Sequence, residues 1–217
     1  IDTREFAELA VAEHRSLPPG IVKPDRALVI GVDRLDYTKG LPQRFRAFAA
    51  FLERHEDWHR HVSLLQISPP TREGVAAYDA IRDETEALAG RINGQFADIT
   101  WAPIRYIHRH VARERLAGLY RAARVALVTP LMDGMNLVAK EYVAAQDPAD
   151  PGVLVLSQFA GAAEQMQDAL QVNPHDIEQV AAAIHSALVM PPRERRRRQE
   201  RLMEGLLAQD VHWWSAA

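Results

Sequence analysis

The 217-residue chain contains no cysteine, so it has no disulfide framework. Its lack of cysteine is compatible with a reducing compartment, and we expect the protein in the cytoplasm. No apolar run approaches the roughly 18 residues that a membrane helix needs, so we expect no membrane partner. A strong excess of one charge is also missing, because 26 basic and 29 acidic residues give a formal net charge of −3. That balance does not indicate a nucleic-acid-binding protein.

The residues that are present are those of a globular protein. They are 47% hydrophobic and 25% charged, and the length suits one domain with appendages. The chain begins at Ile1 rather than a methionine and ends just after Trp213 and Trp214. We therefore expect a fragment of a longer protein.

Short apolar runs alternate with amphipathic ones along most of the chain. Six runs predict buried strands, of which the third is the weakest: 27–32, 62–67, 99–107, 125–129, 152–157 and 169–173. Helices are predicted between them at 41–55, 74–92, 111–123, 137–146 and 176–188. Two further helices, at 1–16 and 191–209, flank this region. Buried strands that alternate with helices predict an α/β protein with a doubly wound, mainly parallel sheet.

In such sheets ligands bind beyond the carboxyl ends of the strands, so the loops there are the candidate binding segments. The first loop, "GVDRLDYTKG", carries Arg34 and Lys39, which could hold phosphate oxygens. Alternatively, these cations and the neighbouring Asp33 and Asp36 balance one another in a solvated loop. The second loop, "SPPTREG", carries Arg72, which taken alone indicates no more than a surface arginine.

The loop that follows the fourth strand, "PLMDGMNLVAKEYVAAQDP", has two carboxylates close to the start of a helix. Asp133 and Glu141 could each accept hydrogen bonds from sugar hydroxyls. The free N–H groups of Leu137 and Val138 could hold a phosphate. The alternative is that Asn136 merely caps the helix and Glu141 points to solvent.

Three patterns are interpreted as coincidences. "HEDWH" at 55–59 matches a zinc-protease motif, but it lies at the charged end of an amphipathic helix. "RERRRRQER" at 193–201 is interrupted by acids, which favours a solvated helix face, or an interface with a missing domain, over a nucleic-acid site. No further carboxylate clusters with Asp133 and Glu141, so we expect no metal. A dinucleotide oxidoreductase is disfavoured, since no G-x-G-x-x-G follows the first strand.

Five segments together resemble the C-terminal half of the trehalose-6-phosphate synthase family: "GVDRLDYTKGLPQRF", "AGRING", "VTPLMDGMNLVAKEYVAAQDP", "GVLVLSQFAGAA" and "VNPHDIEQVA". The resemblance runs from about residue 20 to the end of the chain. It implies a GT-B glycosyltransferase, in which two Rossmann-like domains face each other across a cleft. The implied reaction is a hexosyl transfer, from UDP-glucose to glucose-6-phosphate with retention of configuration. It uses no metal and no cofactor.

The resemblance also implies roles for individual residues. Arg34 and Lys39 correspond to the pair that binds the donor diphosphate and stabilises the departing UDP. Asp133 corresponds to the carboxylate that grips the donor glucose, and these three are the expected catalytic residues. The expected contacts at the start of the following helix are Gly134, Met135, Asn136, Leu137, Val138, Ala139 and Lys140.

Three further roles follow from the same resemblance. Glu141 corresponds to the acid that binds the ribose hydroxyls. Val111 lies where the family contacts uridine through its backbone, often with a bulkier residue. Arg72 corresponds to the arginine that reaches the phosphate of the acceptor.

The resemblance places the acceptor site in an N-terminal domain that these residues do not contain. We expect residues 1–20 to be a helix and linker from that missing domain, and 21–190 to be the nucleotide-sugar-binding domain. Residues 191–217 should pack toward the missing domain. The chain alone should bind UDP or UDP-glucose weakly and make no trehalose-6-phosphate. Homo-oligomerisation is left open by the sequence.

Two rival functions stay open at this point. A related sugar-phosphate synthase, such as a glucosylglycerol-phosphate synthase, would share the donor site and differ in the missing domain. A non-catalytic nucleotide-sugar-binding module would keep Arg34 and Lys39 without any transferase activity. The preference for UDP over ADP or GDP is also open.

Overall fold

The computed structural model describes residues 1–21, 23–70 and 76–209, and its centre is one parallel sheet. The six strands are β1 (Ala27–Val32), β2 (Val62–Ile67), β3 (Ile104–Ile107), β4 (Val125–Val128), β5 (Val153–Ser157) and β6 (Leu170–Val172). Their order across the sheet is β3-β2-β1-β4-β5-β6, and every neighbouring pair is parallel. The predicted doubly wound parallel sheet is therefore confirmed.

Within these described ranges, seven α-helices cover the two faces of the sheet. They are α1 (Thr3–Arg15), α2 (Leu41–Arg54), α3 (Ala76–Phe96), α4 (Arg113–Ala122), α5 (Leu137–Ala145), α6 (Ile177–Val189) and α7 (Pro192–Ala208). Side chains of a strand point alternately to opposite faces. In β1, Leu28 and Ile30 accordingly join the core under α1, α4 and α5, and Val29 joins the core under α2, α3 and α6. No helix in the described ranges is both long and apolar enough to cross a membrane.

The third strand is shorter than its sequence predicts. It starts at Ile104 rather than residue 99, because Asp98 folds the preceding residues into a turn. The Asp98 carboxylate accepts from the backbone N–H groups of Thr100 (2.6 Å) and Trp101 (2.9 Å). The Trp101 indole then donates to the carbonyl of Val62 at 2.7 Å, so this residue packs beneath the strand instead of joining it.

Both terminal helices pack on the sheet domain. In α1, Phe6 and Ala10 are fully buried, and the close approach to α4 requires Gly118, where a Cβ would lie 2.8 Å from the backbone of Glu13. In α7, Leu202 and Leu206 are buried. The boundaries at residues 20 and 190 and the contact of α7 with another domain stay predictions. Trp213 and Trp214 lie outside the described residues.

The order of the strands determines where a ligand can bind. From β1 the chain continues to β2 and β3 on one side, and it then crosses to β4 on the other side of β1. A crevice opens beyond the carboxyl ends of β1 and β4, because the connections that leave these two strands go in opposite directions. The loops at 33–40 and 129–136 meet at this point.

Candidate functional site

The loops that follow β1 and β4 are joined by one ion pair and two backbone hydrogen bonds. The ammonium group of Lys39 lies 2.6 Å from Oδ2 of Asp133, although the two residues are 94 positions apart. The N–H groups of Leu131 and Met132 donate to the carbonyl of Thr38 at 2.7 and 3.3 Å. The structure thus brings together a cation and an anion that the sequence indicated in separate loops.

Asp133 is held in place from both sides. Its N–H donates to the carbonyl of Phe159, and its own carbonyl accepts from the N–H of Gly161. The amide of Asn136 donates to its Oδ2 at 3.0 Å. At Gly161 a Cβ would lie 2.1 Å from the carbonyl oxygen of Gly134, so only glycine allows the two loops to approach so closely. The position of the Asp133 carboxylate is therefore fixed by three loops.

Asn136 caps α5 and shapes the turn before it. Its φ of 80° lies in the left-handed region, which asparagine tolerates better than most residues. Its side-chain oxygen accepts from the N–H of Ala139 at 3.1 Å. The N–H groups of Leu137 and Val138 cannot find partners inside the helix, because they belong to its first turn. Asn136 is thus a cap, as one alternative proposed, and the helix still presents two N–H groups to a ligand.

The remaining residues of this predicted segment differ in exposure. Gly134, Met135 and Leu137 are exposed, whereas Ala139 is fully buried and its N–H is already bound by Asn136. Lys140 is also buried, and its ammonium group donates to the side chain of Gln165 at 2.8 Å. Burial lowers the pKa of Lys140. Ala139 and Lys140 thus have structural contacts in this conformation.

Charged residues of the first loop also have hydrogen-bond or ion-pair partners other than one another. The Asp36 carboxylate accepts from the N–H and hydroxyl of Thr38 at 2.9 and 2.8 Å. Partial burial raises the pKa of Asp36, but the two bonds from Thr38 and the charges of Lys39 and Arg34 together lower it. Asp33 and Lys39 have partners outside the loop. Arg34 is exposed and forms no ion pair within the described ranges.

A buried arginine beneath the site was missed by the sequence analysis. Arg44 of α2 is almost fully buried, and its guanidinium donates to Asp33 (2.5 Å), Gln66 (2.9 Å) and Thr129 (3.0 Å). These partners lie at the carboxyl ends of β1, β2 and β4. Gly31 leaves room for the group, since a Cβ there would lie 2.2 Å from the Gln66 side chain. The signal was available, because Arg44 falls within the apolar stripe of its helix.

The electrostatics of this cluster are dominated by burial. Burial raises the pKa of Asp33, and the charge and hydrogen bond of Arg44 oppose the rise, with a smaller contribution from Lys39. The ionised carboxylate is thus kept in the interior mainly by one guanidinium. This arrangement ties the first loop to the core directly under the Lys39–Asp133 pair.

Glu141 lies in α5, and Val111 lies just before the start of the neighbouring helix α4. Glu141 is partly buried, and burial raises its pKa, while the nearby Arg113 acts in the opposite direction. It is therefore not the freely solvated side chain of the alternative interpretation. Val111 precedes α4, and its side chain packs against the core, so its backbone is the part available to a ligand. Arg72 lies outside the described residues.

The zinc-protease pattern does not assemble a pair of ligands. His55 stacks on His185 with 3.9 Å between the ring centroids, and Nε2 of His59 bonds the carbonyl of Leu52 at 2.9 Å. In the described parts of the chain, no group of three or more His, Cys, Asp or Glu side chains could hold a metal ion.

The chain is similar to proteins of one family over nearly its whole length. The sequence model of Glycosyltransferase family 20 matches residues 21–217. A trehalose-6-phosphate synthase of Sinorhizobium fredii is 54% identical over 99% of this chain and 47% of its own. One from Citrobacter koseri is 47% identical over 95% of this chain and 45% of its own. The chain therefore spans about half the length of the curated relatives that it matches.

Solved structures agree with the sequences. An alpha,alpha-trehalose-phosphate synthase (UDP-forming) from Burkholderia xenovorans in complex with glucose-6-phosphate is 51% identical, with a TM-score of 0.97 over all of this chain and 48% of its own. An E. coli structure bound with UDP-2-fluoro glucose is 44% identical, with a TM-score of 0.92 over all of this chain and 48% of its own. The resemblance that the five sequence segments indicated is confirmed, and the chain belongs to glycosyltransferase family 20.

Proposed function

We propose that this chain is the donor-binding half of a retaining glucosyltransferase. The whole protein would move glucose from UDP-glucose to glucose-6-phosphate and release trehalose-6-phosphate and UDP. The observation that carries this proposal is the Lys39–Asp133 pair at the crevice between β1 and β4, beside the free end of α5. The substrates named for the Burkholderia and E. coli structures agree with it.

The chemistry of the leaving group fits these residues. Breaking the bond between C1 of glucose and the diphosphate leaves negative charge on the phosphate oxygens. Hydrogen-bond donors that are positioned before the reaction lower its barrier most when they face the atom where charge develops. Lys39, the exposed Arg34 and the first N–H groups of α5 are such donors. No metal is needed for this task, and the proposed reaction uses none.

Asp133 would hold the sugar while Lys39 holds the phosphate. Its Oδ2 takes the hydrogen bonds from Lys39 and Asn136, which leaves Oδ1 for a hydroxyl of glucose. A carboxylate can accept from two neighbouring hydroxyl groups. The ion pair therefore orients the carboxylate and the ammonium group before UDP-glucose binds. One of the two would then contact the sugar and the other its leaving group.

The nucleoside would extend from the diphosphate toward α4 and α5. Glu141 would accept hydrogen bonds from the ribose hydroxyls, and the backbone near Val111 would contact uracil. The partly buried carboxylate of Glu141 has little water to lose on binding. The donor-site roles of Arg34, Lys39, Asp133, Glu141, Val111 and residues 134–140 are all part of this proposal.

The acceptor site belongs to the other half of the protein in this proposal. The relatives are about twice as long as this chain, and Arg72 would reach across the cleft to the phosphate of glucose-6-phosphate. Residues 1–20 would lead in from that half, 21–190 would form the donor domain, and 191–217 would pack back toward it. We place the reaction in the cytoplasm.

Calorimetric titration and activity assays test the donor site and the missing half separately. We expect the chain alone to bind UDP in preference to ADP and GDP, and to form no trehalose-6-phosphate. The chain joined to the other half should be active with glucose-6-phosphate. Activity only with glycerol-3-phosphate would support a glucosylglycerol-phosphate synthase instead, and no activity at all would support a non-catalytic module. Robust turnover by the chain alone would refute the division into halves.

Glu141→Gln should have opposite effects on ligand binding and on stability. Binding of UDP should weaken about tenfold, because an amide accepts ribose hydroxyls less well than a carboxylate. Burial raises the folded-state pKa of Glu141. The folded chain therefore becomes less stable as pH rises above the unfolded value of 4.5, because the side chain must ionise while partly buried. The variant should therefore unfold at higher urea than the wild type at pH 7, and the difference should vanish below about pH 4.

The matched control is Glu200→Gln on α7, which removes an exposed carboxylate far from the crevice. We expect it to leave the UDP affinity unchanged. Unchanged UDP affinity in Glu141→Gln would show that this carboxylate does not contact the nucleoside.

A further inference from the structure

A cationic cavity lies at the opposite end of the strands from the proposed donor site. It has a volume of about 160 Å³ and lies beside the amino-terminal ends of β1 and β2. Its charged lining residues are Lys23, Arg26 and Arg105, and among the described residues no acidic side chain lines it. β1 alone is six residues long, so the two sites are about 20 Å apart.

Arg105 carries the argument, because its guanidinium is only partly satisfied. One terminal nitrogen donates to the carbonyl of Ile21 at 3.2 Å, while Nε is buried and has no hydrogen-bond partner. Burial lowers the pKa of Arg105, and the charge of Arg26 lowers it further. Leaving a donor of a charged group buried without a partner is costly, unless something that is not part of this chain accepts from it.

No carboxylate among the described residues pairs with this cluster. None of the ion pairs in the described ranges includes Lys23, Arg26 or Arg105. Asp98 lies near Thr100 at the cavity rim, but its carboxylate is bound by Arg60 and by Thr100 and Trp101. These contacts lower the pKa of Asp98 to about 2, with the backbone bond from Thr100 as the largest cause. The positive charge in the cavity is therefore not balanced by this acid.

The hydroxyl groups of the lining are already used. Ser63 donates to the carbonyl of Ala102 at 3.1 Å and accepts from the Trp101 indole at 3.0 Å. Thr100 donates to Asp98 at 2.8 Å. The groups left to bind a ligand are thus cationic N–H donors, and Arg26 uses only its Nε, toward the carbonyl of Arg60. Such a set selects an anion with several acceptor oxygens rather than a sugar or an alcohol.

We propose that Arg105, Arg26 and Lys23 form a binding site for a phosphate group, separate from the donor site. The buried Nε and the terminal nitrogens of Arg105 would hold the inner oxygens of the phosphate. Arg26 and Lys23 would neutralise the outer ones. The cavity volume of about 160 Å³ leaves room for one phosphate group. An ester bound there would extend outward, because Lys23 at the rim is exposed.

The test is calorimetric titration of the chain with inorganic phosphate at constant ionic strength. The background is the Arg34→Ala/Lys39→Ala variant, which removes the phosphate-binding cations of the proposed donor site. We expect one phosphate to bind, and its affinity should fall at least tenfold in Arg105→Met and in Arg26→Met. Methionine keeps an apolar stem of similar length, so the cavity wall should be preserved. Circular dichroism and urea unfolding verify that each variant is folded.

Arg91→Met is the matched control, because Arg91 is an exposed arginine of α3 that does not line the cavity. It should leave the phosphate affinity unchanged. Titration with methyl phosphate distinguishes the two sources of the group: tighter binding than inorganic phosphate indicates an ester, and weaker binding indicates the free ion. Three results would overturn the proposal. The first is the absence of phosphate binding at about 20 mM, on the order of the weakest specific site. The others are a change in phosphate affinity of less than about twofold in both cavity variants, or a loss of affinity in Arg91→Met equal to theirs.

Discussion

Lys39→Ala is expected to lower the turnover of the whole glycosyltransferase by about 100-fold or more, with a smaller change in KM for UDP-glucose. The ammonium group would face the phosphate oxygens on which negative charge grows as the glycosidic bond breaks. Its stabilising effect is therefore greater in the transition state than in the bound substrate, and its loss appears mainly in kcat. The measurement is steady-state release of UDP by the chain joined to its other half.

Arg34→Ala should give a loss of similar size, and Arg91→Ala is the control for removal of an exposed arginine elsewhere. Lys39→Arg separates charge from position. It keeps a cation near Asp133 but changes the geometry of a 2.6 Å contact, so we expect intermediate activity. Wild-type turnover in both alanine variants would refute the assignment of these cations to the leaving group.

The elements of the fold were predictable because each has a strong local pattern. The apolar runs at 27–32 and 62–67 match β1 and β2 residue for residue. The run at 99–107 predicts a strand that is too long, because Trp101 is buried without being part of β3. Its indole fills the core next to β2 while the backbone is held in the Asp98 turn. Hydrophobicity alone does not distinguish a buried turn residue from a strand residue.

The site was predictable only as a set of loops. The rule that ligands bind beyond the carboxyl ends of parallel strands identified the loops containing Arg34, Lys39 and Asp133. That rule does not predict which acid pairs with Lys39, Asp133 of the other loop or the nearby Asp36. Asp36 and Thr38 are close in sequence and form a local turn, in which the carboxylate of Asp36 accepts hydrogen bonds from Thr38. Pairing across 94 residues depends on how two loops pack, and no sequence period encodes it.

The buried Arg44 shows why tertiary contacts can reverse a sequence-based expectation. A charged residue normally lies on the solvated face of an amphipathic helix. Arg44 lies on the opposite face, because Asp33, Gln66 and Thr129 supply acceptors for it from three strand ends. These partners lie 11, 22 and 85 positions away in the sequence. The arginine therefore links the first loop of the donor site to the core.

Arg44→Met should destabilise the folded chain by about 3–5 kcal/mol, because it leaves the Asp33 carboxylate buried without its cation. In the wild type the ion pair has side-chain exposures of 0% and 3%, so water cannot replace the guanidinium. Burial already raises the pKa of Asp33, and loss of Arg44 should raise it further. When the folded-state pKa of a carboxyl group is raised, the protein becomes less stable as pH rises above the unfolded pKa, here 3.8. The destabilisation by Arg44→Met should therefore grow between about pH 4 and 7.

The measurement is urea unfolding of the wild type, Arg44→Met, Asp33→Asn and the double variant. The double variant should be more stable than Arg44→Met, because asparagine removes the charge that has lost its partner. Arg46→Met on the same helix is the control: its ion pair with Glu84 is about half exposed, so its loss should cost less than about 1 kcal/mol. If Arg44→Met cost no more than Arg46→Met, or if Asp33→Asn failed to restore stability, the carboxylate would not depend on this arginine. The stability of the first donor loop would then have to come from the backbone contacts of Thr38 and Leu131 instead.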